Sequence, residues 1–325
     1  MTLDRFLTDG EPTWAELQTL VTAAGTRPSR LGGERLLRLG SLYRAAAADL
    51  AQARQRFPGD PVVRRLEALV LRSRALVYAK ARRRLTIRQF YARRYWELIV
   101  ERRKLLALAV ASLIVPMLIG YLYAAANPQT ISAIVPGAFL WITEPRPSGT
   151  DIGFSRPELT AFSFQVLTNN IQVTITAFAL GILLGLLTFA VIAFNGLVFG
   201  VITALAIEAG NGALLVEAVV AHGLLELSCI VIGGLAGFRL AAAVINPGLR
   251  PRRVAVVEEA GPAALLAMGT APFLILAGFV EAFVSRTGTT AAPATVIGFG
   301  IGGTFWLLAV GLGTRQKRMR SLASR

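Results

Sequence analysis

Three side chains capable of acid–base or metal chemistry lie in stretches of the sequence that are otherwise apolar. His222, the only histidine, precedes Glu226 by four residues, so the two side chains share one face of a helix. Glu281 belongs to a later apolar stretch, and the order of spans derived below places it in the same half of the membrane. We therefore predict an intramembrane polar cluster of His222, Glu226 and Glu281, with Glu208 and Glu217 as candidate additional acidic residues.

This cluster is compatible with three roles. An ionised carboxylate in the middle of a span costs about 3 kcal/mol or more, so it faces the helix bundle and finds a partner or is protonated. We favour a structural bridge between two spans, with a proton-sensing or proton-moving site and a divalent metal site as the alternatives. One histidine with two carboxylates can ligate zinc, but the chain has no dedicated zinc motif. We predict no bound metal and no cofactor.

Enzymatic chemistry has little support in the sequence. With one histidine and one cysteine, Cys229, the chain cannot form a His-Glu-x-x-His protease site, a cysteine-rich metal site or an internal disulfide. It contains no Gly-x-Ser-x-Gly motif, and Ser228 lies six residues beyond His222, roughly on the opposite side of the helix. No Walker A sequence is present. We predict no catalytic residues and no enzymatic activity.

The composition separates a basic region from an apolar one. The 325 residues are 54% hydrophobic and carry a formal net charge of +15, a combination that is unusual for a soluble domain. Residues 1–104 contain 22 lysines and arginines against 10 acidic residues, so most of the excess positive charge precedes the apolar stretches.

Residues 1–85 are predicted to form a cytoplasmic helical domain. A first helix is expected to open at a capping box of Thr13 and Glu16, and a second to cover residues of about 33–56. A third is expected to start at an Asp60 N-cap and to run to roughly Arg84.

Residues 86–104 are predicted to form an interfacial amphipathic elbow helix. Thr86 and Gln89 make a capping box at its start, and aromatic and basic residues are mixed along it. Aromatic rings favour the headgroup level, and arginines favour the cytoplasmic side of a membrane. Nucleic acid could bind such a stretch, but its continuity with an apolar span favours the lipid bilayer, and we predict no nucleic-acid partner. The residues assigned to the membrane interface are Arg94, Trp96, Arg102, Arg103 and Lys104.

A transmembrane domain is predicted over residues 105–314, followed by a basic cytoplasmic tail over 315–325. The predicted spans cover 105–126, 166–194, 197–221, 223–246, 263–284 and 291–313. Glu208 and the sequence AGNG interrupt the third, which is interpreted as a broken crossing or a re-entrant half. Arginines at 250–253 and the tail indicate that both termini are cytoplasmic, with Arg239 near the cytoplasmic end of its span. We expect a multi-pass protein of the bacterial inner membrane.

Small and polar residues recur at helical spacing in two of these spans. Such stripes allow helices to pack closely, which is the role we predict, and lining of a polar pathway is the alternative. They also permit a homodimer. The stripe residues are Asn170, Thr174, Gly181, Gly185, Asn195, Gly196, Gly233 and Gly237.

Several short motifs resemble, in order and spacing, the stage II sporulation protein M family of integral membrane proteins. They are TNNIQV, FNGLVFG, AHGLLELS, GGLAGFRL and AGFVEAF. The N-terminal segments GEPTWAELQTLV and LYRAAAADLAQAR resemble the longer branch of that family, which carries a cytoplasmic helical domain. The members of this family in spore formers anchor a wall-remodelling complex in the membrane, so the resemblance implies an anchoring role. For the longer branch it implies association with a MoxR-type AAA+ ATPase and a von Willebrand factor A-like protein.

Together these patterns predict an all-α, polytopic helical membrane protein with about six spans, one of them broken or re-entrant, and an N-terminal cytoplasmic helical bundle. The predicted function is that of an integral membrane anchor or scaffold for a multiprotein assembly, which the resemblance connects with the cell envelope. The alternative is a transporter or channel for an ion, lipid or small solute that uses the intramembrane His/Glu cluster.

Overall fold

The computed structural model describes residues 2–25, 28–78, 86–132, 139–145, 156–285 and 290–323. Every regular element within these ranges is helical, which confirms the predicted all-α class. The chain divides into two compact units, Met1–Arg84 and Leu85–Arg325, and each has its own apolar core.

The first unit is a bundle of three helices whose apolar faces meet in one core. The helices are α1 (Leu3–Ala24), α2 (Gly32–Arg56) and α3 (Pro61–Val77). Trp14 is buried in this core, and its indole nitrogen donates a hydrogen bond to Asp49 at 2.8 Å, which joins α1 to α2. Arg65 of α3 donates two hydrogen bonds to Glu11 of α1, and these bonds lower the pKa of that carboxyl.

The start of α1 differs from the prediction. The capping box at Thr13 is wrong, because α1 begins at Leu3 and passes through Thr13 without a break. Phe6 and Gly10 are buried on the same face as Trp14, so the core continues upstream of the capping signal and extends the helix.

The start of α3 agrees with the prediction. The Asp60 carboxylate accepts a hydrogen bond from the Val62 amide at 2.8 Å, which confirms Asp60 as the N-cap. α3 ends at Val77, and the predicted continuation toward Arg84 lies outside the described residues.

The second unit begins with three short helical segments, of which only the last is buried. They are α4 (Ile87–Gln89), a π-helical turn (Phe90–Arg94) and α5 (Tyr95–Glu101), and the capping box at Thr86 is confirmed. Trp96 is buried in edge-to-face contact with Phe273 and Phe305, so its ring packs inside the unit rather than on its surface. Packing against these two rings buries aromatic surface that a position on the membrane face would leave exposed.

Ten further helices follow in the described part of this unit. They are α6 (Arg103–Ala126), α7 (Pro128–Ser132), α8 (Leu140–Thr143), α9 (Arg156–Ala179), α10 (Leu186–Glu208), α11 (Gly212–Leu215), α12 (Ala221–Ile245), α13 (Arg252–Gly269), α14 (Ala271–Val280) and α15 (Ala291–Ala323). Five helical segments are long and apolar enough to cross a membrane: Arg103–Ala126, Leu186–Glu208, Gly212–Ile245, Arg252–Phe283 and Ala291–Arg315. This finding confirms the predicted class of polytopic membrane protein.

The predicted continuous span over 166–194 is wrong, because the chain turns in its middle. After α9, Leu184 and Gly185 adopt positive φ angles of 58° and 77° before α10 begins. The Thr188 hydroxyl donates a hydrogen bond to the Ala177 carbonyl at 2.7 Å, so the start of α10 folds back onto the end of α9. Gly185 tolerates the left-handed conformation because it has no Cβ.

The interruption predicted within 197–221 is present, but it separates two different helices. α10 ends at Glu208, and α11 begins at Gly212 on the other side of a tight turn. Asn211 fixes this turn, since its side-chain amide donates hydrogen bonds to the Ile142 carbonyl at 2.9 Å and the Glu144 carbonyl at 2.7 Å.

α12 is the central helix of the unit, with twenty of its 25 residues buried. Its contacts with α9 advance in the same direction along both helices, because Thr174 lies against Gly233 and Ala177 lies against Gly237. The two helices therefore run parallel.

Two more pairs of helices are parallel by the same criterion. Along α15, Gly298 lies against Val220 and Gly302 against Leu224 of α12. Between α10 and α6 the successive contacts are Gly196 with Leu113 and Gly200 with Met117. Helices α9, α12 and α15 thus share one direction, and α6 and α10 form a second parallel pair.

Candidate functional site

α12 places two members of the predicted cluster one helical turn apart. His222 and Glu226 are each only 5% exposed, and the histidine Nε2 lies 3.9 Å from Glu226 Oε2. A π-helical turn over Val216–Val220 leads directly into this part of α12. The burial follows from the central position of α12, which is surrounded by other helices at this level.

Glu281 joins these two residues from a different part of the chain. It opens the π-helical turn Glu281–Ser285 that follows α14, and it is also 5% exposed. One ligand atom from each of His222, Glu226 and Glu281 can be chosen so that all three lie within 4.8 Å of one another. The structure therefore brings the three predicted residues together.

Asn170 of α9 completes the surroundings of the cluster. Its buried side chain interacts with the Glu226 carboxylate, so a third helix contacts the site. Sequence analysis placed Asn170 only on a packing stripe, although a polar side chain entering an apolar helix is itself a signal for such a contact. One oxygen of this carboxylate, Glu226 Oε1, is buried and accepts no hydrogen bond from any residue in the described ranges.

The two candidate additional glutamates lie outside this group. Glu208 is exposed at the end of α10. Glu217 accepts a hydrogen bond from the Ala291 amide at 3.2 Å, which caps the first turn of α15. The chemistry of the site thus rests on one imidazole and two carboxylates.

A second buried polar group, which sequence analysis did not predict, surrounds Arg239 near the other end of α12. Arg239 is 2% exposed, and its guanidinium lies 2.8 Å from Glu259 and 3.2 Å from Glu101. Arg102 also pairs with Glu259. The sequence does show an isolated arginine in one apolar span and two adjacent glutamates, Glu258 and Glu259, in the next. Nothing in the sequence indicates that these residues contact each other. This network joins α5, α12 and α13.

The residues assigned to the membrane interface take different positions. Arg94 forms a 2.9 Å ion pair with Glu97, and the indole of Trp96 donates a hydrogen bond to the Tyr91 carbonyl at 2.7 Å. Arg102, Arg103 and Lys104 are exposed at the start of α6. Of this set, the exposed side chains are therefore those of Arg102, Arg103 and Lys104, whereas Arg94 is partly buried.

The predicted stripe residues lie on three helices because of the turn at Gly185. Gly181 contacts the backbone of Gly237, and Gly233 contacts Thr174, so these members meet at the α9–α12 interface. Gly196 instead contacts α6, and the Asn195 amide donates a hydrogen bond to the Val191 carbonyl of its own helix.

Comparison with known sequences gives matches for both units. The profile of the family described as Stage II sporulation protein M matches residues 107–286, just over half of the chain, and this range contains the whole His/Glu cluster. A profile described as a domain of unknown function (DUF8413) matches residues 4–79. No curated protein and no solved structure matches the chain.

Proposed function

The chain belongs to the stage II sporulation protein M family, and we propose that it acts as an integral membrane scaffold that anchors a multiprotein assembly in the bacterial inner membrane. The observation that carries this proposal is direct backbone contact between membrane helices. Gly181 lies against Gly237, Gly196 against Leu113, and Gly298 against Val220. Helices this close leave no passage for a solute between them at these points, whereas a rigid platform gains stability from such packing.

Six passages with both termini in the cytoplasm fit the directions of the helices. Because α6 and α10 run parallel, the chain has to return across the membrane between them, and α9 is the helix available for that return. The arginines at 250–253 and at the end of α15 then lie on the same side as the termini, in agreement with the positive-inside rule. In this orientation the first unit is cytoplasmic.

We propose that the first unit binds a MoxR-type AAA+ ATPase, which acts with a von Willebrand factor A-like protein. Two observations support a soluble partner: the unit has its own core, and it has its own family match. The chain carries no Walker A sequence, so ATP hydrolysis falls to the partner in this scheme. The role proposed for the chain itself is therefore not enzymatic.

Binding to the ATPase is the test of the scaffold. The full chain in nanodiscs and the MoxR-type ATPase encoded in the same genome are purified separately, and their association is measured by biolayer interferometry. We expect saturable binding in the micromolar range or tighter, and no binding to empty nanodiscs. Absence of binding with and without ATP would contradict this partnership.

A transporter is the second candidate, and the buried cluster is the observation that favours it. His222, Glu226 and Glu281 could take up and release protons or cations within the membrane. The test is flux of protons, cations and lipids into proteoliposomes containing the wild type, Glu226→Gln, or the exposed control Glu208→Gln. Flux that only the Glu226 variant abolishes would replace the scaffold proposal with the transporter.

A further inference from the structure

We propose that His222, Glu226 and Glu281 bind one zinc ion, a site that the proposed scaffold function neither requires nor predicts. The inference begins from geometry. Two of the donors come from adjacent turns of α12, and the third comes from the π-helical turn after α14. Residues so distant in sequence have been brought within 4.8 Å of one another in the buried interior of the second unit.

A small movement of the glutamate side chain brings the donor atoms to the spacing that zinc requires. Zinc binds imidazole nitrogen and carboxylate oxygen at about 2.0–2.2 Å in tetrahedral geometry, which places the donors about 3.3 Å apart. The histidine Nε2 and Glu226 Oε2 are 3.9 Å apart. Rotation about the glutamate side-chain bonds covers the remaining difference, so the backbone of α12 does not have to move.

Charge gives an independent reason for a cation at this position. Glu226 and Glu281 lie in the same buried cluster, and bringing two ionised carboxylates close together in an apolar interior is costly. Glu226 Oε1 is fully buried and accepts no hydrogen bond within the described part of the chain. A divalent cation neutralises both carboxylates and occupies this free lone-pair position.

The donor set selects among the divalent metals. Calcium and magnesium take six or more oxygen ligands or keep several waters, which a closed site with three side chains does not provide. An imidazole together with two carboxylates is a common set for zinc, and three protein ligands leave a fourth position for water. Asn170, which interacts with Glu226 from a neighbouring helix, would help to orient this ligand.

The experiment measures zinc bound to the purified full chain. The protein is prepared in detergent without a histidine tag, stripped with EDTA, incubated with ZnCl₂, desalted and analysed by ICP mass spectrometry and thermal unfolding. We expect close to one zinc per chain and a higher unfolding temperature with zinc, because the ion links α12 to the end of α14. MgCl₂ at the same concentration is expected to produce neither effect.

Variants locate the site. Glu226→Gln and Glu281→Gln keep the shape of the side chain and remove a charged ligand, and each is expected to weaken zinc binding at least tenfold. Glu208→Gln, which changes an exposed glutamate outside the cluster, is expected to bind zinc like the wild type.

Two outcomes would overturn the zinc site. One is wild-type protein that retains less than about a fifth of an equivalent of zinc, a result that does not depend on whether any variant folds. The other is binding that both glutamine variants retain unchanged. Neither outcome bears on association with the ATPase, so this inference and the scaffold proposal fail separately.

Discussion

At the scale of single residues, the second unit contains two kinds of buried charge. Arg239 has opposite charges around it, with Glu259 and Glu101 both within 3.2 Å of its guanidinium. Glu226 and Glu281 instead place two carboxyl groups side by side next to a histidine. In the first arrangement each charge lies beside an opposite one, whereas in the second two acidic groups share one buried position.

Substitutions of Arg239 and Arg250 compare the contribution of a buried ion pair to stability with that of an exposed one. Arg239→Gln leaves the partly buried Glu259 with Arg102 as its remaining partner, and we expect a loss of about 1–3 kcal/mol of unfolding free energy. The matched control is Arg250→Gln, which removes the exposed pair with Glu258 and is expected to cost about 1 kcal/mol or less. Chemical unfolding of the purified proteins measures both. Equal effects would show that the Arg239 network does not stabilise the bundle.

A double-mutant cycle on Glu226 and Glu281 tests whether the two carboxylates interact. If the two carboxylates share one site, the second Glu→Gln substitution changes the unfolding free energy little once the first has been made. We expect a coupling energy of about 0.5–3 kcal/mol between the two substitutions. Unfolding of the two single variants and the double variant gives this value. Strict additivity would mean that the carboxylates do not act together.

At the scale of helices, glycines set the distances within the second unit. Gly237 packs against the Ala177 carbonyl and the Thr188 side chain, so that a single residue of α12 contacts both arms of the α9–α10 turn. Gly300, in α15, has no atom within 4 Å of the position a Cβ would take. The same residue type therefore serves packing in one helix and faces open space in another.

A glycine-to-alanine substitution is therefore expected to have opposite effects on stability at these two positions. Gly237→Ala drives a methyl group into the Ala177 carbonyl, and we expect a loss of about 1–3 kcal/mol. Gly300→Ala meets no obstacle and raises helix propensity, so stability should stay the same or increase by up to about 1 kcal/mol. Thermal unfolding in detergent compares the two. A destabilising Gly300→Ala, or a neutral Gly237→Ala, would contradict the packing described here.

Apolar length and charge predicted the helical class but not all helix ends. The turn at Leu184 and Gly185 contains no polar residue, so hydropathy read two helices as one span. The His/Glu cluster could be predicted because charged residues in apolar spans have to find partners. Its contact with Asn170 and the Arg239 network could not, since the distance between separate helices is set by packing along their whole length rather than by local sequence.

At the scale of the whole molecule, the directions of the helices determine which loops share a side of the membrane. The turn at Gly185 lies against Ala241 near the end of α12, and the loop after α12 follows directly. The start of α15 lies at the opposite end, where the Ala291 amide donates a hydrogen bond to Glu217. In the proposed orientation, the turn at Gly185 and the loop after α12 are cytoplasmic, and the start of α15 faces the outside.

Cysteine labelling tests this arrangement, because Cys229 is the only native thiol and is buried. In a Cys229→Ser background, Thr290→Cys should react with an impermeant maleimide added to intact cells. Leu184→Cys and Leu249→Cys should react only in everted vesicles, since both side chains are exposed at the other end of the bundle. Labelling of the last two from outside would invert the topology. Protection of Leu184→Cys on both sides would restore the single span over 166–194.

The central position of α12 has a consequence for biogenesis. Synthesis proceeds from the N-terminus, so α9 with Asn170 is in the membrane before α12 leaves the ribosome, whereas Glu281 arrives about 55 residues after Glu226. During this interval the histidine and glutamate of α12 have only part of their final surroundings. A chain that stalls or is cut before α14 therefore exposes a half-built polar site in the lipid, which membrane quality-control proteases can recognise as unfinished.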